Sequence, residues 1–318
     1  MDSLQIGQFF MRTSRDTFLE ASLVAQLAAF QNIIPLPGIA AQAEQDCFAK
    51  QLVDSIRRIQ YVRIIRDKIN TQSCVNPNLG GFNPIKAAAF HHANGNSEEA
   101  SWLVFLLTHF GKNKTTGWQL IKDVYGNLGA GIFDWQQACQ APRMLGIWID
   151  NNEGQLKANG GNFGNHRKYQ SLDVNHTGRT ISSYIEWVGP ANSHLVKFLQ
   201  LEPNQNDPQI RFRAFYNSMS QVYGFGRTAV FDYLTMMGKL QLIDVEPDSV
   251  YMTGATGPFT GGQLLFTGST VATITRPQLD QMLSVLNQHL ALPFGMQVLE
   301  DAICNWQKSP NRYIYFSG

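Results

Sequence analysis

The stretch from 209 to 238 carries residues suited to holding an anion. Asp207 is a natural N-cap and Pro208 a natural first helical residue, and Phe212, Phe215, Tyr216, Met219 and Val222 then recur at helical spacing. Gly224-Phe225-Gly226 supplies two positions able to take φ > 0 and predicts a tight hairpin. Arg227-Thr228-Ala229 opens a second helix, with Val230, Tyr233, Leu234 and Met237 as its apolar stripe. Backbone N–H groups at the start of that helix lack intrahelical partners and lie at the positive end of its dipole, which makes a phosphate seat with Arg227 as a further donor. An ordinary helix–turn–helix packing unit has the same pattern.

Two more stretches carry polar chemistry. Asn165-His166-Arg167-Lys168-Tyr169 sets three cationic groups between an amide and a ring, a combination that can hold a phosphate backbone while stacking on a base or sugar. A solvent-exposed turn reads the same way. Asp244, Glu246 and Asp248 place three carboxylates within five residues. His109 closes a core helix, where a satisfied helix-terminal histidine is the plain reading, and Lys112 and Lys114 follow as the chain leaves the core.

Composition narrows the classes. With 318 residues, 44% of them hydrophobic, the chain can bury a large core in one domain or two closely packed ones. A net charge of +1 means that a nucleic-acid binder of this composition must concentrate its basic residues locally. No apolar run approaches the ~20 residues that span a bilayer. The N-terminal segment lacks a basic region followed by an apolar core, so a cytoplasmic protein is expected. Cys47, Cys74, Cys139 and Cys304 are scattered, without metal-ligand or iron–sulfur spacing, and no HExxH, P-loop or GxSxG occurs. No metal or cofactor is expected.

The elements that position these residues read as helices. Apolar periodicity predicts helices over 16–34 and 42–69, the second with a basic outer face, then a boundary loop over 70–84. Ser97 reads as the N-cap of a helix so apolar that it lies in the core, ending at Phe110. Further helices follow from Trp118 to Gly126, in two short segments around Pro142, and from Thr180 to Val188, with 151–166 as a polar, glycine-rich loop. Beyond the hairpin, the segment to Ile274 reads as short extended pieces, followed by helices at 277–290 and 296–306 and an aromatic tail, 312–316, that docks. The class is mainly α.

Taken together, WLVFLLTHFGKN (102–113), FGNHRKYQSL (163–172), YGFGRTAVFDYLTMMGKL (223–240), YMTGATGP (251–258) and MQVLEDAICNWQKSP (296–310) resemble a bacterial family named alpha-glutamyl/putrescinyl thymine pyrophosphorylase, clade 3, of the helix-hairpin-helix DNA glycosylase-like superfamily. The resemblance covers most of the chain from about residue 47. It implies a helix-hairpin-helix glycosylase-like helical domain, which with the loop composition and the extended pieces read above gives an N-terminal helical arm over 1–75 and a domain over 76–318 with a short extended segment after the hairpin, or one compact unit. The family name comes from a proposed role in phage DNA hypermodification, and some related proteins look like antiviral glycosylases that excise modified pyrimidines such as glucosylated hydroxymethylcytosine.

By that resemblance, the partner is double-stranded DNA with modified bases, bound by a monomer. Gly224, Gly226, Arg227, Thr228, Asn165, His166, Arg167, Lys168, Tyr169 and Lys112 would contact it, and His109, Tyr169 and Trp306 would line the pocket of a flipped base. A carboxylate would stabilise the oxocarbenium-like state. The superfamily interval after the hairpin falls among Asp244, Glu246 and Asp248, with Glu300 and Asp301 brought forward by the family motif; Asp248, Asp244 and Asp301 stay open. Lyase-active members carry a lysine where this chain has Thr228, so a monofunctional hydrolase leaving an abasic site is expected. The alternatives are a transferase that displaces pyrophosphate from an activated 5-hydroxymethyl pyrimidine, and a DNA-binding module without chemistry.

Overall fold

The computed structural model describes residues 14–164, 167, 170–201 and 206–316. Fifteen α-helices make up most of them, and no strand forms among the described residues. The first eight are α1 (Ser14–Phe30), α2 (Gln42–Asp67), α3 (Pro84–Ala93), α4 (Ser97–Phe110), α5 (Gln119–Tyr125), α6 (Trp135–Gln140), α7 (Pro142–Asn151) and α8 (Glu153–Ala158). The rest are α9 (Arg179–Val188), α10 (His194–Leu201), α11 (Pro208–Ser218), α12 (Arg227–Lys239), α13 (Gly257–Thr267), α14 (Arg276–Leu290) and α15 (Gly295–Trp306).

The chain divides into two compact units, one built from the residues up to Gln60 with those from Pro247 on, the other from Tyr61–Glu246. The division falls within α2 and at Pro247. The 70–84 segment, whose composition marks a boundary, lies inside the second unit.

The first unit closes around Leu27, Phe30, Phe48, Leu52, Leu286, Leu299 and Trp306, all essentially inaccessible. One of its helices departs from expectation: Gly257–Thr267 is α13, not extended chain. Pro258 sits in its first turn, where a fixed φ favours helix entry, and a Cβ on Gly261 would stand 2.3 Å from the Ile303 carbonyl oxygen. Packing of bare backbone against α15 therefore overrides the poor helix propensity of the glycines. The tail docks as expected, with the Tyr313 hydroxyl donating to Asp54 at 2.6 Å and Gln51 Nε2 donating to the Ile314 carbonyl at 2.8 Å.

In the second unit α4 is the central rod, buried at every position from Glu99 to Phe110. Its N-cap is Asn96, one residue before the expected Ser97, because the Asn96 side chain accepts from the Glu99 N–H at 3.2 Å. Around it stack Trp102, Phe105, Tyr184 and Phe225, with Phe105 and Tyr184 rings 3.8 Å apart. The expected loop over 151–166 contains one short helix, α8, whose ends are tied by a Lys157–Glu153 pair at 2.6 Å. The 240–256 segment after the hairpin helix is irregular and forms no strand.

Candidate nucleic-acid interface

The hairpin joins α11 to α12. Asp207 caps α11 as expected, accepting from the Gln209 N–H at 2.8 Å, and a single 3-10 turn, Met219–Gln221, leads out of it. Phe225 at the tip is buried against Phe105, 5.4 Å away, and Tyr233, 6.3 Å away, which anchors the turn in the aromatic core.

Its two glycines differ. Gly224 takes φ +69°, and a Cβ there would meet Thr180 Oγ1 at 3.0 Å. Gly226 departs from the expected positive φ: at φ −74° and ψ −177° its backbone is one that any residue adopts, and a Cβ would meet nothing within 4 Å. Gly226 thus leaves bare backbone facing open space. No side chain caps α12, so its amino end keeps donors for an outside acceptor. Arg227 and Thr228 are half-buried in this first turn, and Lys112 is exposed just past the end of α4.

Behind the hairpin a buried polar chain ties four helices together. Burial lowers the His194 pKa, keeping the imidazole neutral, so Nδ1–H donates to Glu98 at 2.5 Å and Nε2 accepts from the Tyr184 hydroxyl at 2.7 Å. The Tyr233 hydroxyl on α12 then donates to Tyr184 at 3.0 Å. Each hydrogen has one acceptor, so the network locks α12 onto α9, α4 and α10.

Several sequence candidates turn inward. Arg167 is only 9% exposed; its Nε donates to the Thr108 carbonyl at 2.9 Å and its Nη2 pairs with Asp232 at 3.1 Å. It therefore braces the segment after α8 against α4. His109 is buried among Phe105, Phe110 and Phe163, and burial, helped by the nearby Arg167 charge, pushes its pKa down to about 3. Thr177 Oγ1 spends its hydrogen on the Ser171 carbonyl, so it accepts from His109 Nε2–H at 3.2 Å. Trp306 is buried edge-on to Phe48, 5.3 Å away, in the core of the first unit. His109 and Trp306 face interiors and leave no surface for a base. Asn165, His166, Lys168 and Tyr169 lie outside the described residues.

The carboxylates are divided between the units. Asp244 belongs to the second, is 72% exposed and pairs with Arg211 at 3.1 Å. Asp248, Glu300 and Asp301 belong to the first. Asp301 pairs with Arg58 at 2.6 Å and accepts from Asn305 at 2.9 Å, which makes it a strut between α2 and α15. Asp248 is half-buried and accepts from the Tyr251 hydroxyl at 2.7 Å; Glu300 is half-buried on α15.

A feature with no sequence signal lies alongside the hairpin. A cleft of about 590 Å³ opens among α7, a single π-helical turn (Val174–Gly178), α9 and residues 221–223. Arg143, Arg179, Glu186 and Tyr223 all line it. Gly178, which lines it, lies so close to α7 that a Cβ on Gly146 would stand 2.6 Å from its Cα, a contact between residues too distant in sequence for any local pattern to announce. Among the described residues no cluster of His, Cys, Asp and Glu could hold a metal ion, and no helix is long and apolar enough to cross a membrane.

The described residues thus form a helical protein with a glycine hairpin, an uncapped helix start and, beside it, a cleft lined by two arginines. The chain belongs to the alpha-glutamyl/putrescinyl thymine pyrophosphorylase clade 3 family, which it matches over residues 43–318. No curated protein and no solved structure matches it.

Proposed function

We propose that this protein is a monofunctional DNA glycosylase that flips a modified pyrimidine, such as glucosylated 5-hydroxymethylcytosine, out of phage DNA and excises it in antiviral defence, acting as a cytoplasmic monomer. The observation that carries the reading is the bare backbone of Gly226 at the uncapped start of α12, where a phosphodiester can approach to hydrogen-bond distance. The family's name, which refers to modified thymines, supports a modified pyrimidine in DNA as the substrate.

Of the four candidate carboxylates, Asp248 is the one we take as catalytic. It follows the hairpin helix at the interval that the superfamily resemblance gives for the catalytic aspartate, and it is half-buried and accepts from the Tyr251 hydroxyl at 2.7 Å. In the reaction, the C1′–N bond breaks with its electron pair going to the base, which takes up a proton. Water adds to C1′ and gives its proton to the Asp248 carboxylate, which also stabilises the cationic sugar. Thr228 offers no amine, so no Schiff base forms at that position, which supports a reaction that leaves the strand intact.

The test is incubation with duplexes containing unmodified, hydroxymethylated or glucosylated hydroxymethylated cytosine. Free modified base by mass spectrometry, with strand breaks only after alkali, is the expected result. A borohydride-trapped protein–DNA adduct would overturn the monofunctional chemistry. Binding without base release would favour the second reading, a transferase that displaces pyrophosphate from an activated 5-hydroxymethyl pyrimidine, for which the family's name is the specific support.

A further inference from the structure

We propose that the cleft beside the hairpin is a binding site for one extrahelical or single-stranded nucleotide, adjacent to the duplex backbone; the inference rests on the DNA-binding reading above. Arg143 and Arg179 are both exposed and both line the cleft, and neither guanidinium forms a hydrogen bond or ion pair with a described residue. Two unspent guanidinium groups over one concavity are suited to a phosphodiester, which each can engage through a pair of N–H donors.

The site is also built for a base. The Arg179 guanidinium is held 3.9 Å over the Tyr223 ring, and a guanidinium paired with an aromatic ring in this way is a group on which a base can stack. Tyr223 is itself held, because its N–H donates to Ser183 Oγ at 2.9 Å. Ile147 adds apolar wall, and Glu186 supplies an acceptor for a base N–H while disfavouring a second phosphate. The π turn that lines the cleft is braced, since α7 meets it through glycine backbones and Asp173 accepts from the Asn175 and His176 N–H groups at 2.9 Å each. A volume of about 590 Å³ suits a nucleotide and does not admit a stacked duplex. The cleft and the phosphate seat belong to one unit and adjoin along the chain: Tyr223 of the cleft lies three residues before Gly226, and Gly224 between them packs on Thr180 of α9, the helix that carries Arg179.

The experiment is fluorescence anisotropy of the full chain with a labelled duplex carrying one unpaired thymidine, against the same duplex fully paired, over a series of salt concentrations. Wild type is expected to prefer the duplex with the unpaired nucleotide. The Arg143→Gln/Arg179→Gln double variant should bind that duplex about tenfold more weakly, lose the preference, and show a log–log salt slope shallower by about one to two. Both arginines are exposed, and a thermal melt confirms that the variant folds. Unchanged affinity and preference in the double variant, or no preference in wild type, overturns the cleft site while leaving base release as a separate measurement. Wild type that binds neither duplex overturns the DNA reading, and the cleft site with it.

Discussion

Glu98 and Glu99 are chain neighbours held in opposite directions. Burial raises Glu98, but hydrogen bonds from the His194 ring and N–H and from Ser193 outweigh it and hold the carboxyl down to about 2. At Glu99 burial wins over the Trp135 N–H and Tyr125 hydroxyl and pushes the pKa up to about 7. A raised carboxyl binds its proton more tightly in the folded state, so its contribution is fully present below the unfolded value near 4.5 and is lost as pH rises through about 7. The loss is on the order of 3 kcal/mol. Urea midpoints at pH 5 and pH 8 check it: wild type should lose more stability across that interval than Glu99→Gln, which carries no titrating proton there. Arg167 makes a second prediction. Arg167→Ala should cost about 2 kcal/mol in a thermal or urea melt, because the Thr108 carbonyl loses its charged donor. A solvent-facing phosphate contact would instead leave stability unchanged and lower only DNA affinity. Sequence shows a cation beside other cations at 166–168; the inward course of the Arg167 side chain depends on Thr108 and Asp232, far away in the chain.

Among the elements, the hairpin holds two glycines in different settings within three residues, and the phosphate-seat proposal predicts different effects for them. Gly224→Ala should destabilise the protein by about 1–2 kcal/mol, since alanine strains at φ +69° and its methyl would press on Thr180. Gly226→Ala should change stability by less than about 0.5 kcal/mol, because an extended backbone and open space accept a methyl group. The same substitution is expected to weaken duplex binding about tenfold by blocking close approach of the phosphate. Calorimetry and anisotropy on the two variants distinguish a structural glycine from a recognition glycine, and equal DNA binding by Gly226→Ala and wild type would remove the seat. The Gly-x-Gly pattern predicts the turn and the helices on either side, but not which glycine the turn needs. That depends on Phe225 entering the core, which draws Gly224 onto α9 and leaves Gly226 outside.

At the scale of the molecule, the C-terminal tail completes the first unit. Truncation after residue 311 removes the Tyr313 hydroxyl from Asp54, which is 3% exposed, and two carbonyl acceptors, Ile314 from Gln51 and Phe316 from Arg58. A loss of about 2–4 kcal/mol is expected in urea unfolding, and an unchanged midpoint would show that the tail is dispensable. The sequence by itself determined the helical class and the places where most helices begin and end, because apolar spacing, Asp207 before Pro208, and the Gly126 and Pro293 breaks act within a turn or two of chain. Tertiary structure alone decided that the residues up to Gln60 close with those from Pro247 on, that the glycine-rich 257–267 segment is helical, and that Arg143 and Arg179 share a cleft. Each of these involves backbone approaching backbone across long separations, as at Gly38 on Leu264, Gly261 on Ile303 and Gly146 on Gly178. A one-dimensional pattern records what a residue prefers locally; the neighbour that arrives from elsewhere in the chain settles what it does.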